Sequence, residues 1–378
     1  MPIACQSYYT VRERLCASLV GVSKPQLTNL SLLVFGLFAA GNCQLPRIAT
    51  KLPLLTGSAS LTQRLRRLLK NEAIEPTCLY RPVARFLLAA FRGGNARLIL
   101  DATDLGGRFP VLFVAVAYRG RALPLAWRML PAPGCSEFAE QKALLLEVAA
   151  QIPPSVTVTL LADREYGSLE MTRWCLSHGW HFCLRLKKNR WFLGIEGQRT
   201  ERRRTEGQRT ERRRKQIACL PLAPGGRLFL ADIRLPSLPD QRLSLCCGWS
   251  RDNKDDEPWY ILSDLPADHQ VLALYQVLAL YHVRFHIEEM FRDFKEFGFR
   301  LETTHLRDSE RVSRLLLCVC LAHVWLMNAG VWVSKRGLRR QVDRHKKRQL
   351  SYFQIGWRFL QKLLACGLPL RCEMAVYI

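Results

Sequence analysis

The chain has 378 residues, enough for about two or three domains of ordinary size. Hydrophobic residues make up 49% and charged residues 23%, a balance that is typical of folded globular proteins and excludes an intrinsically disordered chain. Lysine and arginine number 56 against 32 acidic residues, so the formal net charge is +24. Such a surplus repels itself, and a polyanion such as nucleic acid is the first partner to expect.

The 14 cysteines are too sparse for a disulfide framework, and no pair has the C-x-x-C spacing of a zinc ribbon. The first residues lack the basic and apolar regions of a signal peptide, so we expect a cytoplasmic protein. Residues 315–333 are long and apolar enough to cross a bilayer. His323 and Asn328 lie in the middle of that run and would each need a polar partner in lipid, which favours a buried helix over a membrane span.

Residues 1–94 predict a helical N-terminal region, because apolar residues recur at helical spacing. Within it, two short helices flank a turn at Gly57-Ser58. The second helix carries four cations: Arg64, Arg66, Arg67 and Lys70. The pattern favours a helix-turn-helix DNA-binding region, and an amphipathic helix with a solvated basic face is the alternative.

The predicted elements then change to strands. Residues 95–189 predict three strands, a helix, a strand, a helix and a strand, which together indicate a mixed α/β sheet covered by helices. Residues 190–270 predict a β-rich insertion that begins with a tandem copy of nine residues, 196–204 and 206–214, expected to form an exposed loop. Residues 271–333 return to helix, and 334–378 predict a basic helical C-terminal region whose cations favour contact with phosphate.

A helix predicted from about 268 to 297 has an unusual polar face, and a second duplication, VLALY at 271–275 and 277–281, precedes it. At 100° per residue, five side chains share an arc of about 80°: Tyr281, Arg284, Glu288, Arg292 and Lys295. Glu289 falls outside this arc, so the pattern selects Glu288 as the functional carboxylate. The alternative is a helix face stabilised by ordinary salt bridges.

Two further acidic residues lie where predicted strands end. Asp101 closes the first strand of the sheet and Asp163 closes the fourth. A single acid at a strand end is often a turn former or a helix cap. Two of them together with a carboxylate on a helix make a plausible oxygen cage for a divalent metal ion.

These three patterns resemble the DDE transposases of bacterial insertion sequences. The matching motifs are D-A-T-D-L at Asp101, A-D-R-E-Y-G at Asp163, and Y-x2-R-x3-E-x6-K on the late helix. The last pattern is the Tyr-Arg-Glu-Lys signature of the insertion-sequence-four family, and Tyr281, Arg284, Glu288 and Lys295 match it at every spacing.

The resemblance implies an RNase H-like core interrupted by the β-rich insertion. It implies that Asp101, Asp163 and Glu288 are catalytic and bind two Mg²⁺ ions, with Mn²⁺ as a possible substitute. It further implies that Tyr281, Arg284 and Lys295 hold DNA phosphates, and Arg292 is expected to join them because it shares their face.

The expected activity is cut-and-paste transposition, in which a homodimer cleaves double-stranded DNA at terminal inverted repeats and transfers the ends to target DNA in the bacterial nucleoid. No membrane partner is expected. The alternative, suggested by the two duplications, is a catalytically inactive remnant that only binds DNA. Family members often hold a flipped base with a tryptophan of the insertion. Trp191, Trp249 and Trp259 are the candidates here, and burial in the core is the alternative for each.

Overall fold

A computed structural model describes residues 3–132, 134, 136–195, 212–249, 257–265 and 270–370. Within these ranges the helices are α1 (Ile3–Ser18), α2 (Lys24–Ala40), α3 (Leu45–Ala49), α4 (Ser58–Lys70), α5 (Pro76–Ala89), α6 (Phe138–Ala149), α7 (Leu169–Ser177), α8 (Gln270–His282), α9 (His286–Phe294), α10 (Ser309–Lys335) and α11 (Tyr352–Ala365). The strands are β1 (Asn95–Leu105), β2 (Phe109–Tyr118), β3 (Arg121–Met129), β4 (Thr157–Ala162), β5 (His181–Arg185), β6 (Trp191–Ile195), β7 (Arg212–Gln216), β8 (Arg227–Leu235), β9 (Leu238–Gly248) and β10 (Trp259–Ser263).

The predicted mixed α/β class is confirmed, and β1 to β5 follow the predicted order of three strands, helix, strand, helix and strand. The chain divides into two compact units, and the limits of these units differ from the predicted domain boundaries. Unit 1 comprises residues 1–96, 101–156 and 286–378, and unit 2 comprises residues 97–100 and 157–285. The boundaries drawn from the sequence stay predictions.

Unit 1 contains a small antiparallel sheet in the order β3-β2-β1, surrounded by helices. The connection from β2 to β3 is a tight hairpin turn at Arg119 and Gly120, whose φ angles are +48° and +79°. Two successive residues with positive φ match the twist of the two strands they connect, which is why glycine is favoured there. Helix α9 packs on β2 and β3.

Helix α10 forms the centre of unit 1 and packs against α2, α4, α5, α11 and β3. Among the described residues, α10 is the one helix that is long and apolar enough to cross a membrane. However, 94% of its most apolar 18-residue segment is buried within the protein. This burial agrees with the core helix predicted for 315–333.

Unit 2 is a mostly antiparallel sheet, in the order β1-β4-β5-β10-β9-β8-β6-β7, to which β1 contributes Arg97–Leu100. Strands β4 and β5 run parallel and α7 connects them, because parallel neighbours need a crossover. Their register pairs Ala162 with Leu184, so the next residues, Asp163 and Arg185, emerge side by side at one edge.

Two helical predictions differ from the structure. The helix predicted over 268–297 is broken by a 3₁₀ turn at Val283–Phe285, which separates α8 from α9. The predicted basic helix after Lys335 is a short 3₁₀ segment, Leu338–Gln341, followed by a loop up to α11. Like charges three or four residues apart repel one another and disfavour a helix. The spacing of apolar residues, from which helices are predicted, does not include this repulsion.

The tandem copy at 196–204 and 206–214 falls for the most part outside the described residues, and its last residues, 212–214, begin β7. The expectation that it forms an exposed loop therefore stays a prediction.

Candidate active site

Asp101 lies inside β1, four residues before its end at Leu105, and not at the close of the strand as the sequence predicted, because residues 101–104 continue the extended backbone. Leu98, Ile99 and Leu100 before it are fully buried, whereas the residues from 101 to 104 are half-buried. The carboxylate accepts a hydrogen bond from the backbone N–H of Ala102 at 2.9 Å. Asp101 is thus the first of four half-buried residues in the second half of β1.

The A-D-R-E-Y-G motif forms a tight turn directly after β4. The backbone N–H groups of Tyr166 and Gly167 both donate to the carbonyl oxygen of Asp163, at 2.9 and 3.1 Å. A Cβ atom at Gly167 would lie 2.0 Å from the carbonyl oxygen of Arg185, so only glycine fits there. This close approach fixes the turn against β5 and with it the position of the Asp163 carboxylate.

The Asp163 carboxylate is the acceptor for several donors of unit 2. Its Oδ1 atom accepts from the backbone N–H of Arg164 at 2.7 Å, from the Tyr281 hydroxyl at 3.3 Å and from Nη1 of Arg185 at 3.5 Å. Tyr281 is fully buried and Arg185 is 5% exposed. Burial, and next the nearby Asp163 carboxylate, raise the pKa of Tyr281, so its hydroxyl remains a hydrogen-bond donor at neutral pH.

Aromatic rings hold the signature residues of unit 2 in place. The Trp259 ring packs edge-on against Tyr281 at a centroid distance of 5.2 Å. The Arg284 guanidinium lies 4.4 Å from the centre of the Phe285 ring and 5.8 Å from that of Tyr281. Arg284 is 5% exposed, so Tyr281 and Arg284 are both interior residues of this unit.

The other half of the signature lies on α9 in unit 1. The 3₁₀ turn at Val283–Phe285 precedes α9, so the five polar side chains do not share one straight helix as the sequence predicted. Glu288 is half-buried in the first turn of α9, and Arg292 follows one turn later with 56% of its side chain exposed. Lys295 lies just beyond the last residue of α9.

The two predicted phosphate-binding cations on and just after α9, Arg292 and Lys295, are both paired with carboxylates. Nη1 of Arg292 lies 2.6 Å from Glu289, and Nζ of Lys295 lies 3.1 Å from Glu302. Glu289 also pairs with Nη1 of Arg121 at 3.0 Å. The structure therefore gives Glu289 a salt-bridging role, and the assignment of its neighbour Glu288 as the functional carboxylate stays a prediction.

A buried charged cluster, which the sequence did not predict, lies behind α9. Asp293 is 1% exposed, and its Oδ2 atom lies 2.9 Å from Nε of Arg121 and 3.5 Å from Nε2 of His323. Burial lowers the pKa of His323, against the opposing effect of Asp293. A cationic partner from β3 and an imidazole from α10 are distant in sequence, so no local pattern around Asp293 could have indicated them.

The three predicted metal ligands belong to different units, with Asp101 and Glu288 in unit 1 and Asp163 in unit 2. In the part of the chain that the structure describes, no three or more His, Cys, Asp or Glu residues are gathered as a metal site. The donor set itself fits magnesium, because all three ligands are carboxylates and Mg²⁺ prefers hard oxygen donors.

The three candidate tryptophans have different environments. Trp259 is 9% exposed and packs in the core, as the alternative interpretation expected. Trp191 is 42% exposed, and the Arg214 guanidinium lies 4.8 Å from the centre of its ring. Trp249 lines a cavity of about 490 Å³ in unit 2 together with Lys187, Lys188 and other residues of the same face.

The N-terminal helices present a basic face. Arg64 on α4 donates from Nε to the side chain of Asn29 at 2.6 Å, whereas Arg66, Arg67 and Lys70 are exposed. These three cations are available to solvent on one side of α4, whose opposite side is buried.

Comparison with known proteins supports one family. The chain is similar to a cryo-EM structure of the piggyBac transposase synaptic complex with hairpin DNA, with a TM-score of 0.44, 11% sequence identity, and coverage of 98% of this chain and 83% of that one. The search of curated proteins gives no significant match. A family model described as "Transposase DDE domain" matches residues 136–325, which include Asp163 and the whole Tyr-Arg-Glu-Lys pattern. This match spans half of the chain, and the chain therefore belongs to the transposase DDE domain family.

Proposed function

We propose that this protein is a transposase of the insertion-sequence-four type, which cleaves DNA at the terminal inverted repeats of its element and transfers the ends to a target. The observation that carries the proposal is the hydrogen bond from Tyr281 to Asp163, which connects the four-residue signature with an acidic motif. Family membership over residues 136–325 supports it. The RNase H-like character of the core is part of the same proposal.

In this proposal Asp101, Asp163 and Glu288 together hold two Mg²⁺ ions, and Mn²⁺ can replace them. When bound, such an ion pair activates the attacking hydroxyl and stabilises the leaving oxygen of a phosphodiester displacement. The contribution of the chain is to present carboxylates in fixed positions. Around Asp163 this is done by Tyr281 and Arg185, whose donors hold one carboxylate oxygen.

Arg292 and Lys295 are proposed to contact the phosphates of the DNA end. Their ion pairs with Glu289 and Glu302 involve partly exposed side chains and are worth at most about 1 kcal/mol each, so a phosphate can displace these partners. Tyr281 and Arg284 are buried in unit 2, which favours support of Asp163 over the direct phosphate contact that the resemblance implies.

The basic face of α4 and the Trp249 cavity extend the proposed DNA contacts. Arg66, Arg67 and Lys70 would bind DNA as part of an N-terminal recognition region. Trp249 lies beside lysines in a cavity of about 490 Å³, an environment suited to stacking on an extruded base.

The oligomeric state and the host follow from the family resemblance alone. We propose a homodimer in which each subunit cleaves one end, acting in the cytoplasm of a bacterium.

A second candidate function, an inactive remnant that binds DNA, is favoured by the duplicated segment in α8. The first copy leaves Tyr275 50% exposed under the Arg227 guanidinium, whereas the equivalent Tyr281 of the second copy is buried beside Asp163. The insertion of one copy therefore changes the part of α8 that precedes Tyr281, and it leaves the spacing of the four signature residues unchanged.

The two candidates are separated by a cleavage assay with the purified protein, Mg²⁺ and a plasmid that carries the DNA flanking the gene on both sides. We expect Glu288→Gln to cut at less than about one thousandth of the wild-type rate while DNA binding is retained, because the amide removes a metal-binding charge. Glu289→Gln is the matched control. It loses the ion pairs with Arg121 and Arg292, which lie outside the proposed metal site, and should retain cleavage.

Cleavage by Glu288→Gln at the wild-type rate would contradict the assignment of Glu288. Wild-type protein that binds the plasmid but never cuts it would favour the inactive remnant. In that case removal of residues 271–276 and of one nine-residue copy is expected to restore cleavage.

A further inference from the structure

A loop of unit 1 between the 3₁₀ segment Leu338–Gln341 and α11 is exceptionally basic. We call residues 342–350 the basic loop. Four of its side chains are exposed cations: Arg344, Lys346, Lys347 and Arg348. A block of like charges of this kind is usually disordered because the charges repel one another.

A single carboxylate closes the basic loop. The Asp343 side chain is 1% exposed, and its Oδ2 atom accepts hydrogen bonds from the backbone N–H groups of Gln349 at 3.0 Å and Leu350 at 3.4 Å. It also pairs with Nη1 of Arg339 at 3.0 Å. Burial acts to raise the pKa of Asp343, but these donors outweigh it and lower the pKa, so the carboxylate is charged at neutral pH.

The Arg339 guanidinium organises the interior of the loop. Nη1 donates to the carbonyl oxygen of His345 at 3.0 Å, and Nη2 donates to that of Lys346 at 2.9 Å. These bonds direct backbone carbonyl groups inwards, while the side chains of Arg344, Lys346 and Lys347 remain exposed. The ion pair between the buried Asp343 and the half-buried Arg339 thus orders the backbone that carries the exposed cations.

An aromatic ring extends the basic surface to the β2–β3 hairpin. The Arg348 guanidinium lies 4.3 Å from the centre of the Tyr352 ring, and the Arg119 guanidinium lies 6.0 Å from it. Arg348 also donates to the carbonyl oxygen of Leu350 at 2.9 Å. Arg119 is exposed at the hairpin turn between β2 and β3.

Exposed cations on an ordered backbone fit a polyanion better than cations on a mobile loop do. Each long side chain or loop that is ordered before binding lowers the entropy lost on association. The exposed lysine and arginine side chains offer charge and N–H donors suited to phosphate oxygens, and contacts to phosphate carry no sequence information. The repulsion among these charges is relieved when a row of phosphates neutralises them.

We propose that the basic loop and Arg119 together bind the sugar–phosphate backbone of duplex DNA without regard to sequence, in addition to the signature residues. Such a surface suits target or flanking DNA, since its sequence varies. The inference rests on the proposed function, because both require that the protein binds DNA.

The first test compares wild type with the double variant Lys346→Ala/Lys347→Ala on two short duplexes of unrelated sequence, across a series of salt concentrations. We expect the affinity at low salt to fall about tenfold on both duplexes, and the slope of log affinity against log salt to decrease by about 1 to 2. Lys142→Ala removes an exposed lysine from α6 and is the control, which should leave the slope unchanged.

The second test uses Asp343→Asn, which makes the protein more positive by one charge. A surface that acts only through its total charge would bind DNA as well or better. If the basic loop must be ordered by Asp343, the variant should bind duplex several-fold more weakly. Its thermal midpoint shows whether the rest of the protein is folded, and if it is not, the double variant alone decides.

Wild-type binding that is unchanged by the double variant, or a loss confined to one of the two duplexes, would overturn this inference and leave the proposed function standing. A wild-type protein that fails to bind either duplex at low salt would overturn both.

Discussion

Asp163 shows how much of the candidate site is determined by single side chains. Its carboxylate receives donors from the turn after β4, from the end of β5 and from α8. Motif spacing identified Asp163 and Tyr281 separately. Their hydrogen bond joins residues 118 positions apart, and no local pattern could have predicted it.

We predict that Tyr281→Phe lowers the free energy of unfolding by about 1 kcal/mol at neutral pH and slows cleavage, because the ring is kept and one hydrogen bond to Asp163 is lost. The difference in the free energy of unfolding between wild type and Tyr281→Phe should narrow above about pH 10. The unfolded phenol ionises there, whereas the pKa of the buried Tyr281 is raised, so the stabilisation is fully present below about pH 10 and is lost as pH rises. Denaturant titrations from neutral to alkaline pH measure it.

The control is Tyr275→Phe in the first copy of the duplicated segment, where the side chain is 50% exposed. It should change neither the stability nor the cleavage rate. Equal effects of the two substitutions would contradict the role assigned to the Tyr281 hydroxyl.

At the scale of elements, α10 and α11 come into contact through glycine. A Cβ atom at Gly356 would lie 1.9 Å from the carbonyl oxygen of Leu326, and one at Gly330 would lie 1.8 Å from that of Tyr352. The two backbones approach so closely that neither position has room for a methyl group. This contact fixes α11, which begins directly after the basic loop, against the central helix of unit 1.

Gly356→Ala should therefore destabilise the protein by about 1–3 kcal/mol or more, since the added methyl group forces the two helices apart. Gly94→Ala is the control, because a Cβ atom there would meet its nearest neighbour at an ordinary 3.5 Å. Chemical denaturation of both variants measures the difference. Equal stability of Gly356→Ala and wild type would show that the two helices are not packed as described.

Elements whose pattern is local were predictable from the sequence, and elements that depend on distant partners were not. The apolar runs of β1 to β5 and of α10 gave the right order and the right burial. The break between α8 and α9 was missed, because a projection at a constant 100° per residue assumes one continuous helix. The basic loop was wrongly predicted as helix, because helical periodicity does not reveal the contacts of the buried Asp343 with Arg339 and with the backbone of Gln349 and Leu350.

At the scale of the whole molecule, the account depends on three carboxylates that lie far apart in the chain. Charge composition predicted a polyanionic partner, and the family match over 136–325 agrees with a protein that acts on DNA. Neither observation brings Asp101, Asp163 and Glu288 together. Their common action on metal ions is the central claim of the proposed function.

Iron-directed cleavage of the polypeptide tests that claim most directly. Fe²⁺ takes the place of Mg²⁺ in the protein bound to its flanking DNA, and with ascorbate and peroxide it produces radicals that cut the backbone close to the ion. We predict cuts near Asp101, Asp163 and Glu288 together, all suppressed by excess Mg²⁺ and by Glu288→Gln. Cuts near only one of these residues, or near none of them, would contradict the account.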